Sequence, residues 1–427
     1  RPVIADRAVG GNRSSSHSAA MAEGPLTSDD GETLAWLSRA GLEGMAPEAL
    51  LAAFCERLQD GGIRLARVQI ATAVVHPGMR GFSLTWWAGR GVTDSQTFSH
   101  DRQAAPEWYR SPGAYMFAND VDAITARLDG GQRLEPWFDL YDDLRAAGLT
   151  GYHTEVFPFG WSSSADRATG IPELGVVTSW STDRPGGFGD ELARLRALLP
   201  VFALALKGGV LTAMAETLMT TYLGQDAGRR VLHGDIHRGD TRVLRAAILL
   251  ADLRGFTALT DRLSSETIVA MLDAYLAAIC EPVQRLGGQV LKFLGDGLLA
   301  VFDDSHGNRA DAALQAARDA LSQVAEINRR RAAAGEDYMI LDVALHVGEV
   351  AYGNVGGPDR LDFTVIGPAV NEAARMEAIC GDLDRALLVS AALADELSDR
   401  SGLDDLGEHR LRGLERPRQL FGARADG

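Results

Sequence analysis

The 427-residue sequence predicts an α+β protein in which two folded domains are joined by a helical linker. Three observations predict it. Short runs with strand periodicity are mixed with helical faces over the first two hundred residues. From residue 244 the pattern runs strand, helix, strand, strand, helix, strand. All seven tryptophans (Trp36, Trp86, Trp87, Trp108, Trp137, Trp161, Trp180) fall before that point, so the two halves differ in composition. At roughly 150 residues per domain the length fits two or three domains.

Residues 1–30 are assigned to a tag or a disordered segment. The first 20 are rich in Ser, Gly and Arg, precede Met21, and lack the apolar core of a secretory signal. Residues 31–206 form the N-terminal domain. Val68, Ile70, Thr72 and Val74 alternate as in a half-buried strand, and so do Phe82, Leu84 and Trp86. Trp86 and Trp87 then point to opposite faces, so one of them leaves the core. Trp137, Leu140, Tyr141 and Leu144 repeat at helical spacing. A strand near Gly175–Trp180 leads through "STDRPGGFGDE" into an apolar helix near 189–206. This order of elements resembles a GAF-type sensory domain; a PAS-like sheet would look similar.

Residues 207–243 are the linker. Leu211, Met214 and Leu218 fall at heptad spacing, and Gly224, Gly228, Gly234 and Gly239 then interrupt regularity. The segment reads either as a spacer or as a helix paired across a dimer.

Residues 244–427 read more cleanly. "VLRAAILLAD" is a buried strand. Ile268, Met271, Leu272, Tyr275, Leu276 and Ile279 form one helix face, closed by Gly287 and Gly288. "QVLKF", "LGDG" and "LLAVF" make a β-hairpin with a tight turn. A long helix near 309–334 precedes the strand "ILDVALHVG". The order β-α-β-β-α-β is the ferredoxin-like, palm-type arrangement. It sets Asp252, at the end of the first strand, near Asp296 in the hairpin turn.

Composition excludes several function classes. A formal charge of −16 argues against a nucleic-acid-binding surface. Three scattered cysteines (Cys55, Cys280, Cys380) make neither a disulfide framework nor a zinc site and fit a reducing cytoplasm. No membrane span is expected. The most apolar stretch, Leu198–Met219, holds Pro200, Lys207 and Glu216, and its unbroken run is nine residues where spanning needs roughly 20. Of the 42 basic residues only Lys207 and Lys292 are lysine. Lys207 is assigned to a helix surface. His76, before Pro77, is read as a loop residue and not a haem or metal ligand. Cys55 is read as part of an apolar helix and not a bilin anchor.

Two aspartates on adjacent strand ends suit a hard cation, which takes one or two carboxylates plus phosphate oxygens. "DLRGFT" follows the first, and its glycine leaves backbone N–H groups able to cradle phosphate. Asn371 and Arg375, four apart on a helix, share a face. Together "LADLRGFT", "LKFLGDG" and "DFTVIGPAVNEAAR" strongly resemble the catalytic domain of class III nucleotidyl cyclases.

The resemblance implies a set of roles. Asp252, Asp296 and the Leu253 carbonyl match ligands for two Mg²⁺ (or Mn²⁺) ions. The backbone around Phe256 and Thr257 matches the triphosphate cradle. Lys292 and Thr364 match the purine-reading pair of the Thr-containing adenylyl subset. Asn371 matches the ribose-orienting residue and Arg375 the transition-state arginine. Arg412 lies where the family often places a basic residue for the terminal phosphates. Asp342 stands where some members carry a basic phosphate contact, which puts that contact in doubt. Lys292 can donate to adenine N1 and Thr364 can accept from N6, whereas guanine N1 is itself a donor.

The implied function is conversion of ATP to 3′,5′-cyclic AMP and pyrophosphate by two-metal, in-line attack of the ribose 3′-hydroxyl. A guanylyl cyclase and a catalytically silent nucleotide-binding sensor are the alternatives. The resemblance also implies a two-fold homodimer with shared sites. One chain gives Asp252, Asp296 and the cradle, and the other gives Lys292, Thr364, Asn371 and Arg375. The N-terminal domain would answer to an unidentified small-molecule effector; nucleic acid and membrane are not expected partners.

Overall fold

The computed structural model describes residues 26–99, 110–130, 136–161 and 174–423. The chain divides into two compact units, residues 1–215 and 216–427. Residues 1–20 and Trp108 lie outside the described residues.

In the first unit, helix α1 (Ser28–Leu42) begins inside the segment that the sequence assigned to a tag or disorder. A capping box explains the start. The Thr27 hydroxyl accepts from the Asp30 N–H, and the Asp30 carboxylate accepts from the Thr27 N–H. Arg194 clamps the same buried carboxylate at 2.8 Å. Helix α2 (Pro47–Asp60) follows. Strands β1 (Arg67–Ala73), β2 (Gly81–Trp87), β3 (Gly91–Phe98), β4 (Ala123–Arg127), β5 (Gly151–Trp161) and β6 (Leu174–Thr182) pair antiparallel in the order β3-β2-β1-β6-β5-β4. Helices α3 (Pro112–Asn119) and α4 (Asp139–Ala146) interrupt the strands.

One sheet face packs on α1, α2 and a long helix α5 (Glu191–Leu223). Phe54 stacks on Phe202 at 4.6 Å, with Trp180 edge-on to Phe54 at 5.8 Å. Trp86 joins this core. Trp87 turns to the opposite face as alternation requires, yet it packs on a second cluster around Tyr141 and Tyr152.

The apolar helix expected near 189–206 therefore runs on to Leu223, through Pro200 and through Gly208 and Gly209. Both glycines are there for close approach. A Cβ on Gly208 would lie 2.6 Å from the Gly41 carbonyl oxygen, and one on Gly209 would lie 2.3 Å from that of Met45. By length and composition this helix could cross a membrane, contrary to the count of its unbroken run. Half of its apolar window is buried, with Leu198, Phe202 and Leu206 in the core of the first unit. Lys207 is not a free surface residue. Its ammonium donates to the Phe159 carbonyl at 2.9 Å.

In the second unit a short helix α6 (Gln225–Leu232) leads to the sheet. Gly224 and Gly234 break the chain with positive φ, whereas Gly228 lies within α6, close against Met219 and Thr220. The central elements are β7 (Thr241–Arg254), α7 (Phe256–Thr260), α8 (Ser265–Arg285), β8 (Gln289–Leu294), β9 (Gly297–Phe302), α9 (Arg309–Ala333) and β10 (Ile340–Gly356). Strands β10, β7, β9 and β8 lie side by side in that order, all antiparallel. With α8 and α9 between them in sequence, this is the ferredoxin-like palm. The remaining elements are β11 (Leu361–Ile366) on β10, α10 (Pro368–Glu377), β12 (Leu387–Ser390), α11 (Ala391–Ala394), β13 (Asp404–His409) and β14 (Arg418–Ala423).

The two faces of β7 separate core from site. Ala247, Leu249, Ala251 and Leu253 point into the layer of α8 and α9. Ala246, Ile248 and Leu250 point the other way, toward α10. Alternation puts Asp252 and Arg254 on that second face, just beyond the apolar run.

Candidate active site

Asp252 ends the buried part of β7. The β8–β9 hairpin pairs Leu294 with Gly297, so Gly295 and Asp296 are its two turn residues. Gly295 has φ +72°, which a residue with a Cβ seldom adopts. Gly297 lets the turn close on the first aspartate. A Cβ there would lie 2.3 Å from the Ala251 carbonyl oxygen and 2.9 Å from an Asp252 carboxylate oxygen.

The charge at this corner is unbalanced. Burial, and then the Asp296 carboxylate, push the Asp252 carboxyl above its ordinary range. Two more acidic side chains join: Asp342, which the resemblance set at a phosphate contact, and Glu377, which the sequence reading missed. Asp342 sits directly across from Asp252 in the β10–β7 register and is 2% exposed. Glu377, at the end of α10, is pushed up to about 7 by burial and by Asp252, Asp342 and Asp296. Arg254 stands against this group: its Nε lies 2.5 Å from one Asp342 oxygen and its Nη2 donates to the other at 2.7 Å. Among the described residues no three His, Cys, Asp or Glu side chains converge on one metal position. The cation-ready pair is Asp252 and Asp296. The Leu253 side chain is buried in the core, so only its backbone is available.

Past Arg254, Gly255 takes φ +96° and turns the chain into α7. Phe256 packs on the core beneath while Thr257 is exposed. The first N–H groups of a helix have no partner within it, which leaves donors at this turn.

A second group lies on β8 and β11. The Lys292 ammonium, half exposed, donates to the Asp362 carboxylate at 2.6 Å. This bond holds the Asp362 carboxyl below its usual range. Thr364 follows two residues later on the same face of β11.

A third group lies on α10 and the loop before β14. Asn371 is exposed and Arg375 half-buried. Arg375 reaches the loop beside Arg412: a Cβ on Gly413 would lie 3.6 Å from an Arg375 guanidinium nitrogen. Arg375 and Glu377 are two residues apart, about 200° around a helix. Glu377 feels Asp252 and Asp296, whereas the Arg375 guanidinium lies beside Gly413.

Within one chain the expected residues thus fall in three places: Asp252 at the end of β7 with Asp296 in the β8–β9 turn, Lys292 on β8 with Thr364 on β11, and Asn371 and Arg375 on α10 with Arg412 in the loop before β14. Outside the site, the His76 ring nitrogen accepts from the N–H groups of Gly78 and Met79 at 2.9 and 3.1 Å, a loop-forming role. Cys55 is fully buried in α2.

A family model described as the adenylate and guanylate cyclase catalytic domain matches residues 241–421. Adenylate cyclase 2 of Rhizobium meliloti is 30% identical over 231 residues, covering 52% of this chain and 61% of that protein. An adenylate cyclase of Anabaena cylindrica is 32% identical over 168 residues, covering 38% of this chain and 33% of that protein. The chain thus spans between a third and three-fifths of these curated relatives. The crystal structure of the adenylyl cyclase CyaB from P. aeruginosa is 25% identical, covers 43% of this chain and 95% of that one, and superposes with a TM-score of 0.40.

Proposed function

Because residues 241–421 are a catalytic domain of the adenylate and guanylate cyclase family, we propose that this protein is an adenylyl cyclase. It converts ATP to 3′,5′-cyclic AMP and pyrophosphate. The observation that carries ATP over GTP is the Lys292–Asp362 pair at 2.6 Å beside Thr364. Asp362 keeps the ammonium in place to donate to adenine N1. The Thr364 hydroxyl accepts from the N6 amino group. The carboxylate of Asp362 adds negative potential that suits an amino group and opposes the carbonyl oxygen of guanine.

Domains of this family generally depend on divalent metals. Asp252 and Asp296, with the Leu253 carbonyl, fit two Mg²⁺ or Mn²⁺ ions, because the two carboxylates carry uncompensated charge at one corner. When bound, such ions lower the pKa of the ribose 3′-hydroxyl and neutralise phosphate charge. The chain's own residues do the positioning. Asn371 orients the ribose. The backbone at Phe256 and Thr257 holds phosphate oxygens, and Arg412 assists at the terminal phosphates. Arg375 stabilises the α-phosphate as charge grows there, a role suited to a planar guanidinium.

Cyclase domains usually dimerise, and a two-fold homodimer is the arrangement that brings Arg375 of one chain to Asp252 of its partner. Residues 31–206 act as a GAF-like regulatory domain for a small-molecule effector, with residues 207–243 as linker and 244–427 as the catalytic domain. The cytoplasm, which holds ATP and magnesium, is the proposed location.

The test is the purified protein with ATP or GTP and magnesium or manganese, reading cyclic nucleotide. Cyclic AMP as main product is expected. Cyclic GMP as main product would favour the guanylyl reading. ATP binding with no product would favour a silent sensor.

A further inference from the structure

Four acidic side chains and one guanidinium meet at the end of β7, and the guanidinium has a use the family match does not assign. Arg254 follows Asp252 on the same strand face and precedes the Gly255 turn into the phosphate-holding backbone. Asp342 is 2% exposed, and Arg254 covers it edge to edge through Nε and Nη2. This fork-to-carboxylate contact fixes the plane of the guanidinium. It also leaves Nη1 and the second Nη2 hydrogen directed elsewhere. Nη1 lies over Gly381, where a Cβ would come within 3.1 Å of it, so a glycine at this position makes room for the fork. The Arg254 side chain remains 41% exposed, alternation sets it on the strand face that carries Asp252, and its charge is felt at Glu377.

We infer that Arg254 is a polyphosphate contact of the nucleotide and that Asp342 is its positioning residue. The inference rests on the cyclase reading. Asp342 occupies a position where a basic side chain would serve the triphosphate. The charge is not lost here. It is carried by the neighbouring strand, and the acidic residue turns it toward the phosphates. A guanidinium already bonded to one carboxylate retains three N–H donors, enough for two phosphate oxygens. Its place directly before Gly255 sets it against the β- and γ-phosphates, which leave together as pyrophosphate.

The experiment compares the full-length protein with a neutral pair, Arg254→Gln with Asp342→Asn. That pair keeps a side-chain hydrogen bond and removes the buried Asp342 charge together with its partner, so it should fold; circular dichroism checks this. Pyrophosphate inhibition and the KM for ATP should both weaken about 10- to 100-fold, the size of one charge-assisted contact. Inhibition by cyclic AMP, which lacks the terminal phosphates, should move less than about threefold by the same argument. Asp342→Asn alone should raise KM with kcat nearly kept, because the guanidinium stays charged but is no longer held. A folded neutral pair with unchanged pyrophosphate inhibition overturns the assignment of Arg254. An Asp342→Asn protein matching wild type in both constants overturns the positioning role. If the wild-type protein forms no cyclic nucleotide, the cyclase reading fails separately. Calorimetry with pyrophosphate and manganese chloride then decides Arg254: binding lost in the neutral pair supports it, and equal binding overturns it.

Discussion

An Asp252→Ala protein mixed with an Arg375→Ala protein should regain activity that neither has alone. The reason lies on α10. Glu377 is loaded by the fields of Asp252 and Asp296, so that side of the helix faces the carboxylates of its own chain. Arg375 is about 200° away around the axis, with its guanidinium beside Gly413. On the proposed reading a complete site takes Asp252 from one chain and Arg375 from another. Removing the arginine should cost about 10²- to 10³-fold in kcat, by comparison with other transition-state donors. Removing the aspartate takes half of the carboxylate pair and should cost at least as much. In a heterodimer one site carries both lesions and the other carries neither. Random exchange of equal amounts makes about half the dimers mixed, each with one good site of two, so roughly a quarter of wild-type activity should return. The assay is cyclic AMP formation after co-refolding, with differently tagged chains to count heterodimers. Proven heterodimers with no recovery would refute the opposite-face reasoning. Substantial activity in either single variant would refute it too.

Two further outcomes follow from the geometry. Glu377 titrates near 7 in the folded protein, against about 4.3 for a free glutamate. The folded state therefore holds this proton more tightly than the unfolded state. Stability from this group is full below about pH 4 and is lost as pH rises through 7. Glu377→Gln, which stays neutral, should be more stable than wild type by about 1–3 kcal/mol near pH 8 in EDTA, with the gap closing toward pH 5. Urea unfolding at the two pH values checks this, and a gap independent of pH refutes it. Gly209→Ala reverses the usual benefit of alanine in a helix. The added Cβ would lie 2.3 Å from the Met45 carbonyl oxygen, so the substitution should destabilise by about 2 kcal/mol or more. A neutral or stabilising effect in chemical denaturation would show that the helix contact is looser than described.

Much of the catalytic unit was legible in sequence because its signals are local. The alternation in "VLRAAILLAD" sorts β7 into two faces, and Gly295–Asp296 between two apolar runs gives the hairpin and places an aspartate at its tip. The resemblance then supplied roles for Lys292, Thr364, Asn371 and Arg375. What stayed hidden is non-local. Asp362 comes to Lys292 across 70 residues, and Arg254 comes to Asp342 across 88. Neither pairing has a spacing that a linear reading can detect. The carboxylates that act on Glu377 come from distant strands and a hairpin turn, so its role too shows only once those are placed. The N-terminal unit shows the opposite failure. Helix α1 starts at the Thr27–Asp30 capping box, but the Ser-, Gly- and Arg-rich residues before it drew the boundary too late. Gly208 and Gly209 admit a neighbouring backbone, a use of glycine that only the placed neighbour reveals.

The acidic corner also bears on how a nucleotide arrives. The charges of Asp252, Asp296 and Asp342 all act on Glu377, and Arg254 is paired to Asp342, on a chain whose formal charge is −16. A bare triphosphate approaching this surface meets its own sign of charge, while one already complexed with a divalent cation does not. On the cyclase reading this charge should act as a kinetic filter that admits the complex and slows the free anion. Its discrimination reaches only about 8 Å into solution at physiological ionic strength, so added salt should blunt it.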